Sequence, residues 1–523
     1  MTFDILIKGG TVLDGARDEG YLADVGIVGD RIKAIGNLSD SSAGHIIPAE
    51  EKYVTPGFID VQNHSDSYLK LIETPLLPSL ISQGITTIAV GHCGASLGPL
   101  PSLDALRSMQ KWGNLIGANL NWLNFEEFLD SISRYPLGPN VLSLVGHATM
   151  RRGLLKDEVR PATPEEVEIE GKLLRESLEA GAAGLSMGLV YAHEVNADSS
   201  ELESVAKIVG RANKLLSVHL RSEKGHIVEA LDEIIGIARK VQARVKISHF
   251  KIQGAENWKF FESALGAVDR AYQSGLDIFF DVYPYTSTWS VLYTYLPKWA
   301  YEGGKIGLLK SIRDPASRER IVAYLSTQAD LGQILVASSD NNPAFIGKTL
   351  DQIAKNQEVS IPEALLKVIE GTSVQVGVFD HNVSPEIMQE LLRHPLSVIA
   401  TDGAGYSLER GVSEGLVHPR CFGAMPKFLS MVREKKFLSW PAAIKKMTSR
   451  PAEKLKLEKR GKLLKDFFAD LVIFDPRDVG SKASYPNPFI APDGIDQVLI
   501  NGQLVFEHGS SIGRPAGRVL RIK

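Results

Sequence analysis

The chain has 523 residues, a hydrophobic content of 44% and a formal net charge of -4 from 58 basic and 62 acidic residues. Because a single hydrophobic core rarely grows past roughly 300 residues, this length predicts one large domain with a smaller companion. The charges form no block of one sign, which argues against nucleic acid or an anionic membrane as a partner. No run in the sequence reaches the roughly 18 apolar residues that a transmembrane helix needs.

The cysteine content and the start of the sequence indicate the compartment. Cys93 and Cys421 are the only cysteines, too few for a disulfide framework. The opening MTFDILIKGG has neither the basic nor the apolar region of a secretion signal. We therefore expect a soluble, cytoplasmic protein that acts as a monomer or a small homo-oligomer.

The two ends of the chain share a pattern of short strands separated by glycine turns. Near the start, FDILIKGG, TVLDG and ADVGIVGDRIKAIG predict strands, with a hairpin turn at Gly29-Asp30. Near the end, ADLVIFDP and IDQVLINGQLVFEHG repeat the pattern, and Asn501-Gly502 is the strongest hairpin signal. The sequence therefore predicts a small β-sandwich domain formed by residues 1–54 and 455–523.

The middle of the chain, residues 55–454, alternates short apolar runs with amphipathic helical stretches such as EEVEIEGKLLRESLEAG. This alternation is typical of a parallel sheet with crossover helices. Eight apolar runs are candidate strands, centred near Asp60, Ile88, Leu144, Ser186, Val218, Ile247, Phe280 and Ile399. Eight repeats predict an α/β fold of the (β/α)8 TIM-barrel type. The long stretch between the last two strands predicts an inserted subdomain or lid at about residues 286–345.

Side chains that can bind a metal follow the ends of the predicted strands. They are His64, Cys93, His147, His219, His249 and Asp402. Barrel enzymes carry their active sites at the carboxyl ends of their strands. Sulfur, imidazole and carboxylate groups that converge from separate strands suit Zn²⁺, which keeps one position open for water when it is catalytic.

Each of these side chains also has an ordinary structural interpretation. A cysteine in an apolar strand is usually a core residue, but Cys93 lies among glycines in GHCGAS, where a loop begins. His219 and His249 both follow an apolar run, in SVHLRSE and KISHFK, and this shared position favours metal ligands. Asp402 in IATDGAG could cap a helix, whereas a nearby metal favours a catalytic base. His92 should point away from Cys93 because side chains alternate along a strand, and we interpret it as structural.

These segments resemble the amidohydrolase superfamily and, within it, the N-acyl-D-amino-acid deacylase (D-aminoacylase) family. The resemblance extends over nearly the whole chain and depends on the order and spacing of its motifs. The motifs include VTPGFIDVQNHSD, QGITTIAVGHCGASLGPL, GLSMGLVYAHEVNAD, SVHLRSE, ISHFK, DVYPYT, ATDGAG and VHPRCFGAMPKFLSMVRE. The resemblance implies a zinc-dependent amidohydrolase that converts an N-acyl-D-amino acid into a carboxylic acid and a free D-amino acid.

The resemblance also implies a metal site. Cys93, His219 and His249 would form a tight zinc site, and Asp402 would be the catalytic acid/base. His64 would contribute to a second, weaker metal site. The family's paired histidines read Gln62-Asn63-His64 in this chain, so one ligand of the weaker site is missing.

The substrate contacts that the resemblance implies lie on several predicted loops. They are Tyr191, Lys251, Tyr283 and Arg420, with His147 as a further candidate for either a substrate contact or a structural role. The planar guanidinium of Arg420 suits recognition of a carboxylate through two parallel hydrogen bonds. Trp289 stands after DVYPY, where the family has small residues, and we expect it to narrow the pocket.

Two other functions compete with this interpretation. The first is hydrolysis of a cyclic amide, as in dihydroorotase or hydantoinase, which the same site could perform. Cyclic amidases usually resemble lysine-bridged sites with both paired histidines, whereas this chain has Cys93 and Gln62. The second is a metal-binding paralogue that no longer catalyses, which the change at Gln62 motivates.

Overall fold

The structure is a computed structural model that describes residues 2–108, 120–156, 158–339, 342–408 and 415–523. The strands are β1 (Thr2–Val12), β2 (Tyr21–Val28), β3 (Arg31–Gly36), β4 (Ser42–Pro48), β5 (Tyr53–Pro56), β6 (Phe58–Asp60), β7 (Ile85–Val90), β8 (Asn140–Ser143), β9 (Val145–Gly146), β10 (Gly184–Gly188), β11 (Leu215–His219), β12 (Arg244–Ile247), β13 (Ile278–Val282), β14 (Thr288–Val291), β15 (Leu335–Ser338), β16 (Gly377–Asp380), β17 (Ser397–Ile399), β18 (Leu471–Phe474), β19 (Ile495–Ile500), β20 (Gln503–Glu507) and β21 (Ser510–Ser511).

The helices lie mainly between these strands and in the insertion that precedes β17. They are α1 (Lys70–Glu73), α2 (Pro78–Ile81), α3 (Phe125–Ile132), α4 (His147–Leu155), α5 (Pro164–Glu179), α6 (Ser199–Arg211), α7 (Ile227–Val241), α8 (Phe261–Gln273), α9 (Gly304–Arg313), α10 (Pro315–Leu325), α11 (Leu350–Asn356), α12 (Ile361–Gly371), α13 (Pro385–Arg393), α14 (Arg420–Lys435), α15 (Trp440–Met447) and α16 (Ser449–Lys454). Short 3₁₀ helices cover Leu103–Ser108, Ala255–Phe260, Leu292–Tyr295, Lys298–Ala300, Leu331–Gln333 and Pro343–Phe345. In the described part of the chain, no helix is both long enough and apolar enough to cross a membrane.

Strands from both ends of the chain form one nine-stranded sheet in the order β21-β20-β19-β18-β5-β1-β2-β3, with β4 beside β1. The ends meet where β5 pairs antiparallel with β18, and Thr55 lies opposite Val472. Both predicted hairpins are present. Gly29, Asn501 and Gly502 in their turns have φ angles of 58°, 49° and 77°, a left-handed region that glycine and asparagine adopt more readily than other residues. Strands from the two chain ends therefore pair in one sheet.

Strands occur at all eight predicted positions in the middle of the chain. They form a six-stranded sheet in the order β17-β13-β12-β11-β10-β9 and a three-stranded sheet in the order β6-β7-β8. The neighbouring strands within both sheets are parallel. Backbone contacts join the sheets at both edges: Asn63 forms a parallel bridge with Gly403, and the amide of Ala183 donates to the carbonyl of Ser143 over 2.9 Å. The carboxyl ends of these strands consequently lie at one edge.

The insertion before β17 has its own sheet. Strands β14, β16 and β15 form an antiparallel sheet in that order. Apolar side chains from α9, α10, α11 and α12 pack with side chains of this sheet in one hydrophobic cluster, which also includes Cys93 and Tyr191 of the cleft. The sheet spans Thr288 to Asp380 and therefore extends beyond residue 345, where the sequence places the end of the insertion.

Helices α5 and α6 each begin with a side-chain cap. Thr163 accepts the amide of Glu166, whose carboxylate accepts the amide of Thr163 in return. Asp198 caps α6 through the amide of Glu201. The buried faces carry two acidic residues, Glu170 on α5 and Glu201 on α6, among apolar neighbours.

Candidate active-site cleft

A cleft opens at the carboxyl ends of the parallel strands. Nine of the ten site residues predicted from the sequence line it: His64, Cys93, Tyr191, His219, His249, Lys251, Tyr283, Asp402 and Arg420. Tyr68, Glu223, Gln253, Thr288, Trp289 and Ser290 complete the lining.

Cys93, His219 and His249, which we call the cleft site, are close enough to share one metal ion. Their potential ligand atoms all lie within 4.8 Å of one another. Sγ of Cys93 is 3.5 Å from Nε2 of His249. Zn–S and Zn–N bonds in a tetrahedral site place sulfur and nitrogen roughly 3.6 Å apart, so the side chains present fit zinc.

Three of the cleft residues leave their strands through an unusual backbone conformation. The φ angles are 54° at Cys93, 37° at His249 and 48° at Asp402. This left-handed region is uncommon for residues other than glycine, and such conformations cost of order 1–3 kcal/mol each. They persist only where the surrounding structure fixes them, which indicates that the fold holds these three side chains in place.

The environment of Cys93 stabilises a thiolate. Burial alone would raise the pKa of the thiol, but hydrogen bonds with His219, His249 and His64 hold it well below its ordinary value. Gln62 also faces the sulfur, since its Nε2 donates to Sγ over 3.3 Å. The thiolate is the form of cysteine that binds a metal.

Asp402 lies between a histidine and an arginine. Its Oδ1 is 3.1 Å from Nε2 of His64, and its Oδ2 is 2.8 Å from Nη1 of Arg420. Burial would raise the pKa of this carboxyl, but Arg420, His249 and His64 hold it well below its ordinary value. Asp402 is therefore ionised at neutral pH and can accept a proton.

Two polar groups at the cleft lack partners within the described residues. Nε of Arg420 and Oη of Tyr283 are buried and have no hydrogen-bond partner there. The Arg420 guanidinium lies 4.7 Å from the centre of the Tyr283 ring. Because an unpaired buried donor is costly, these two groups favour an acceptor from a bound molecule.

Lys251 and Glu223 form a second polar contact at the cleft. Nζ of Lys251 is 2.7 Å from Oε1 of Glu223 and 2.9 Å from Nδ1 of His249. Oε1 of Glu223 is also 3.0 Å from Nδ1 of His249. Glu223 was not predicted as a site residue, although its place four residues after His219 in SVHLRSE was an available signal.

A further polar contact behind the cleft site was also not predicted. Oε1 of Gln62 accepts hydrogen bonds from Nζ of Lys246 and from Oγ of Ser248. Lys246 is fully buried and lies 3.0 Å from Oδ1 of Asp281. A lysine inside the apolar run of β12 was the available signal. With two donors facing its oxygen, the amide of Gln62 presents its nitrogen to Cys93.

His147 does not line the cleft. Together with Glu170, Glu194 and Glu201 it forms what we call the buried cluster. Its Nδ1 is 2.9 Å from Glu194, and its Nε2 is 3.1 Å from Glu201 and 3.5 Å from Glu170. Burial opposes protonation of the ring, but the three carboxylates raise its pKa well above the ordinary value. The substrate contact considered for His147 would require the ring to leave all three carboxylates, so its position corrects that expectation.

His92 lies away from the cleft, whereas Trp289 lines it. His92 is buried, and its Nδ1 lies 3.3 Å from Oγ of Ser217 rather than at the cleft. The side chain of Trp289 lines the cleft, with its ring 5.2 Å from that of Tyr68. An indole therefore occupies part of the cleft wall.

Comparisons with known proteins agree with this arrangement. A model of the amidohydrolase family matches residues 45–506. D-aminoacylase of Alcaligenes xylosoxydans xylosoxydans is 30% identical over 519 residues, which cover 99% of this chain and 97% of that protein. The structure of N-acyl-D-glutamate deacylase from Bordetella bronchiseptica, in complex with zinc and a phosphonate mimic of the tetrahedral intermediate, matches with a TM-score of 0.84 at 29% identity and covers 100% of both chains.

A structure of D-aminoacylase matches with a TM-score of 0.85 at 30% identity, over 99% of this chain and 100% of that one. That enzyme is described as having a binuclear metal centre, with activation by one metal and attenuation by the second. The structural matches establish an α/β fold of the amidohydrolase type for this chain. The chain therefore belongs to the amidohydrolase family and, within it, to the D-aminoacylase family.

Proposed function

We propose that this protein is a zinc-dependent hydrolase that cleaves the amide bond of N-acyl-D-amino acids. The observation that carries the proposal is the convergence of Cys93, His219, His249 and Asp402 in one cleft. The same cleft presents the unpaired donors of Tyr283 and Arg420. Relatives that match over nearly their whole length are deacylases of this substrate class.

The fold in this proposal is a (β/α)8 barrel with two additions. The eight parallel strand positions, joined at both sheet edges through Ala183 and Asn63, form the barrel. Residues 1–54 and 455–523 form the small β domain, and residues 55–454 contain the barrel and its insertion. The support is the pairing of β5 with β18 and the separate sheet of β14, β15 and β16.

Cys93, His219 and His249 would hold the zinc ion. When bound, zinc supplies Lewis-acid polarisation of the scissile carbonyl and acidifies a water molecule. A single metal in the cleft is favoured by Gln62, whose amide nitrogen donates to Cys93 and has no lone pair for a metal. His64 retains a contact with Asp402 and acts as a positioning residue for that carboxylate.

Asp402 is the proton carrier of the reaction. Its ionised carboxylate accepts a proton from the attacking water, and it later returns that proton to the amine as the amide bond breaks. His64 and Arg420 each contact one of its oxygens, so they fix the plane of the carboxylate. A general acid/base of this kind contributes typically 10²–10⁴-fold to the rate.

Arg420 and Tyr283 would bind the carboxylate of the substrate. Nε of Arg420 and Oη of Tyr283 are the unpaired donors, and the planar guanidinium suits a carboxylate. Lys251 adds a positive charge, which Glu223 partly neutralises. Tyr191 and Trp289 line the cleft as aromatic walls, and we propose that they contact the acyl group and the amino-acid side chain.

The test uses the purified full chain with paired N-acetyl-D- and N-acetyl-L-amino acids that carry apolar, acidic and basic side chains. Release of free amine from the D series, with little from the L series, is the expected result. Zinc is counted in the same samples. The zinc bound by the cleft site is the zinc content of the wild type minus that of Cys93→Ala. Hydrolysis of dihydroorotate or hydantoins without release from the D series would replace the proposal by cyclic amide hydrolysis. Bound zinc with no hydrolysis of either class would identify a non-catalytic paralogue.

A further inference from the structure

The buried cluster is a second group of metal-ligand residues that the proposed reaction does not use. His147 begins α4, Glu170 lies on α5, Glu201 lies on α6, and Glu194 lies in the loop between β10 and α6. Their relative exposures are 0% for His147, Glu170 and Glu194 and 2% for Glu201. Buried acidic residues are rare unless they are paired or bind a metal.

Glu170 lies within ion-pair distance of His147, but its buried carboxylate accepts no hydrogen bond from the described residues. Neither of its carboxylate oxygens has a hydrogen-bond partner among the described residues, and Nε2 of His147 also has none. These atoms face one another, with 3.5 Å between His147 Nε2 and Glu170 Oε2 and 3.1 Å between His147 Nε2 and Glu201 Oε1. A tetrahedral zinc site with bonds of about 2.0–2.1 Å places its nitrogen and oxygen ligands roughly 3.3 Å apart. The observed distances lie on either side of that value.

The other side of the His147 ring has the contact that metal-binding histidines usually have. Nδ1 is 2.9 Å from Oε1 of Glu194, so Nδ1–H can donate to that carboxylate. Oε2 of Glu194 in turn accepts the amide of Gly188 over 2.8 Å. A carboxylate that holds one ring nitrogen in its protonated form leaves the other nitrogen with a lone pair for a metal.

The charges of the cluster also favour a divalent cation. Glu170, Glu194 and Glu201 contribute three negative charges when ionised, and Arg151, which contacts Glu201, contributes one positive charge. If His147 is protonated, its charge and that of Arg151 compensate two of the three carboxylates, and one negative charge is left. If His147 is neutral, a divalent cation and Arg151 together compensate all three carboxylates. An uncompensated charge is costly at a site with no access to water.

We propose that His147, Glu170 and Glu201 bind a divalent cation, with Zn²⁺ as the best match, in a closed structural site separate from the cleft site. His147 Nε2, the carboxylate of Glu170 and one oxygen of Glu201 are the ligands, and Glu194 orients His147. Arg151 remains bound to Glu201, whose carboxylate oxygens can each accept from more than one partner.

A cation at this position would join three helices and support one wall of the cleft. It connects the start of α4 with α5 and α6, the next two helices in the chain. Glu194 belongs to the loop that contains Tyr191, and its amide donates to the carbonyl of Tyr191 over 2.9 Å. Loss of the cation is therefore expected to lower thermal stability and to loosen the loop that carries Tyr191.

The test counts metal in variants of the full chain that remove one site at a time. The wild type should bind about two equivalents of zinc, one in the open cleft site and one in the closed buried cluster. Cys93→Ala and Glu170→Gln each remove one of these sites and should each bind about one equivalent. The matched control is Glu168→Gln, an exposed glutamate on the same helix, which should keep the zinc content of the wild type. These counts measure metal rather than turnover, so a failed deacylase assay would leave them interpretable.

A spectroscopic measurement keeps the proposal testable if Glu170→Gln does not fold. Zinc-edge X-ray absorption of Cys93→Ala should show a first shell of nitrogen and oxygen without sulfur. Bound Co²⁺ in that variant should lack the thiolate charge-transfer band that the wild type shows. If Cys93→Ala binds no zinc, Mn²⁺ or Co²⁺, the proposal is wrong and the cluster is a proton-linked ion network around His147.

Discussion

The cleft site and the buried cluster contain similar chemistry in different surroundings. The cleft site takes its ligands from the ends of parallel strands and faces an open cleft, whereas the buried cluster takes them mainly from the first residues and inner faces of helices. Cys93 gives the cleft site a thiolate, and the cluster around His147 has only nitrogen and oxygen donors. A metal site can catalyse only where substrate and water reach an open ligand position, so access rather than ligand type assigns the reaction to the cleft.

The two groups also differ in how their charges are balanced. At the cleft, Arg420 and Lys251 lie beside Asp402 and Glu223, and donor groups are left over for an anionic substrate. In the buried cluster, carboxylate oxygens of Glu170 are left over instead. The first arrangement favours an anion and the second a cation, and the following substitutions test that contrast.

The largest expected effect comes from removing the thiolate. Cys93→Ala should lose the cleft metal and with it all measurable turnover, because a site with only two remaining ligands binds zinc weakly. Zinc content and amine release are measured on the same sample. The matched control is Cys421→Ala. The sulfur of Cys421 accepts the amide of Ala404 over 3.4 Å and does not line the cleft, so this variant should keep both properties. Unchanged turnover in Cys93→Ala would exclude the cleft site from catalysis.

The next largest effect is expected at the proton carrier. Asp402→Asn should lower kcat by about 10²–10⁴-fold because the amide cannot accept the proton from water. The zinc content should stay that of the wild type, since Asp402 is not a ligand of the tight site. Asp466→Asn, which removes an exposed carboxylate paired with Lys33, serves as the control and should retain wild-type kcat. Equal rates for Asp402→Asn and the wild type would contradict the assigned role.

A smaller effect, on KM, is expected when the contact between Arg420 and the substrate carboxylate is weakened. Arg420→Lys keeps the charge but loses the planar fork, and charge-assisted hydrogen bonds of about 1.5–3 kcal/mol predict a roughly 10–100-fold rise in KM. N-acyl amines without a carboxylate should show no such rise, which separates recognition from damage to Asp402. Arg433→Lys on the same helix is the control, because Arg433 contacts the carbonyls of Arg477 and Val479 outside the cleft. An equal KM increase for both substrate classes would contradict carboxylate recognition.

The smallest effect is expected at Gln62, and it concerns metal binding rather than turnover. Gln62→His alone should not gain a metal, because the buried ammonium of Lys246 remains beside that position. The double variant Gln62→His/Lys246→Gln should bind about one additional equivalent of zinc. Like charges repel, and this variant removes the ammonium of Lys246 that would repel the metal ion. Isothermal titration with Zn²⁺ measures the gain, with Lys246→Gln alone as the control. A second equivalent bound by the wild-type cleft would show that Gln62 does not exclude it.

The sequence pattern alone was enough to predict the eight strand positions and to place His64, Cys93, His219, His249 and Asp402 at strand ends that line the cleft. The other four lining residues that were predicted came from the family resemblance: Tyr191, Lys251, Tyr283 and Arg420. The physical reason is local: apolar runs mark buried strands, and parallel strands bring their carboxyl ends to one edge. Cys93, His219 and Asp402 could therefore be placed together without knowing any contact between them. The pairing of the chain ends followed from matching strand and turn patterns in the same way.

Only the tertiary structure distinguished His147 from the other histidines that follow strands. Its sequence position matches theirs, but α5 and α6 bring Glu170 and Glu201 against its ring, and no local pattern connects those residues. The contact between Gln62 and Lys246 likewise joins two strands that are far apart in the chain. Sequence periodicity reports which face of an element is buried, whereas the partners that meet there depend on packing between elements, and packing decided which histidines face the cleft.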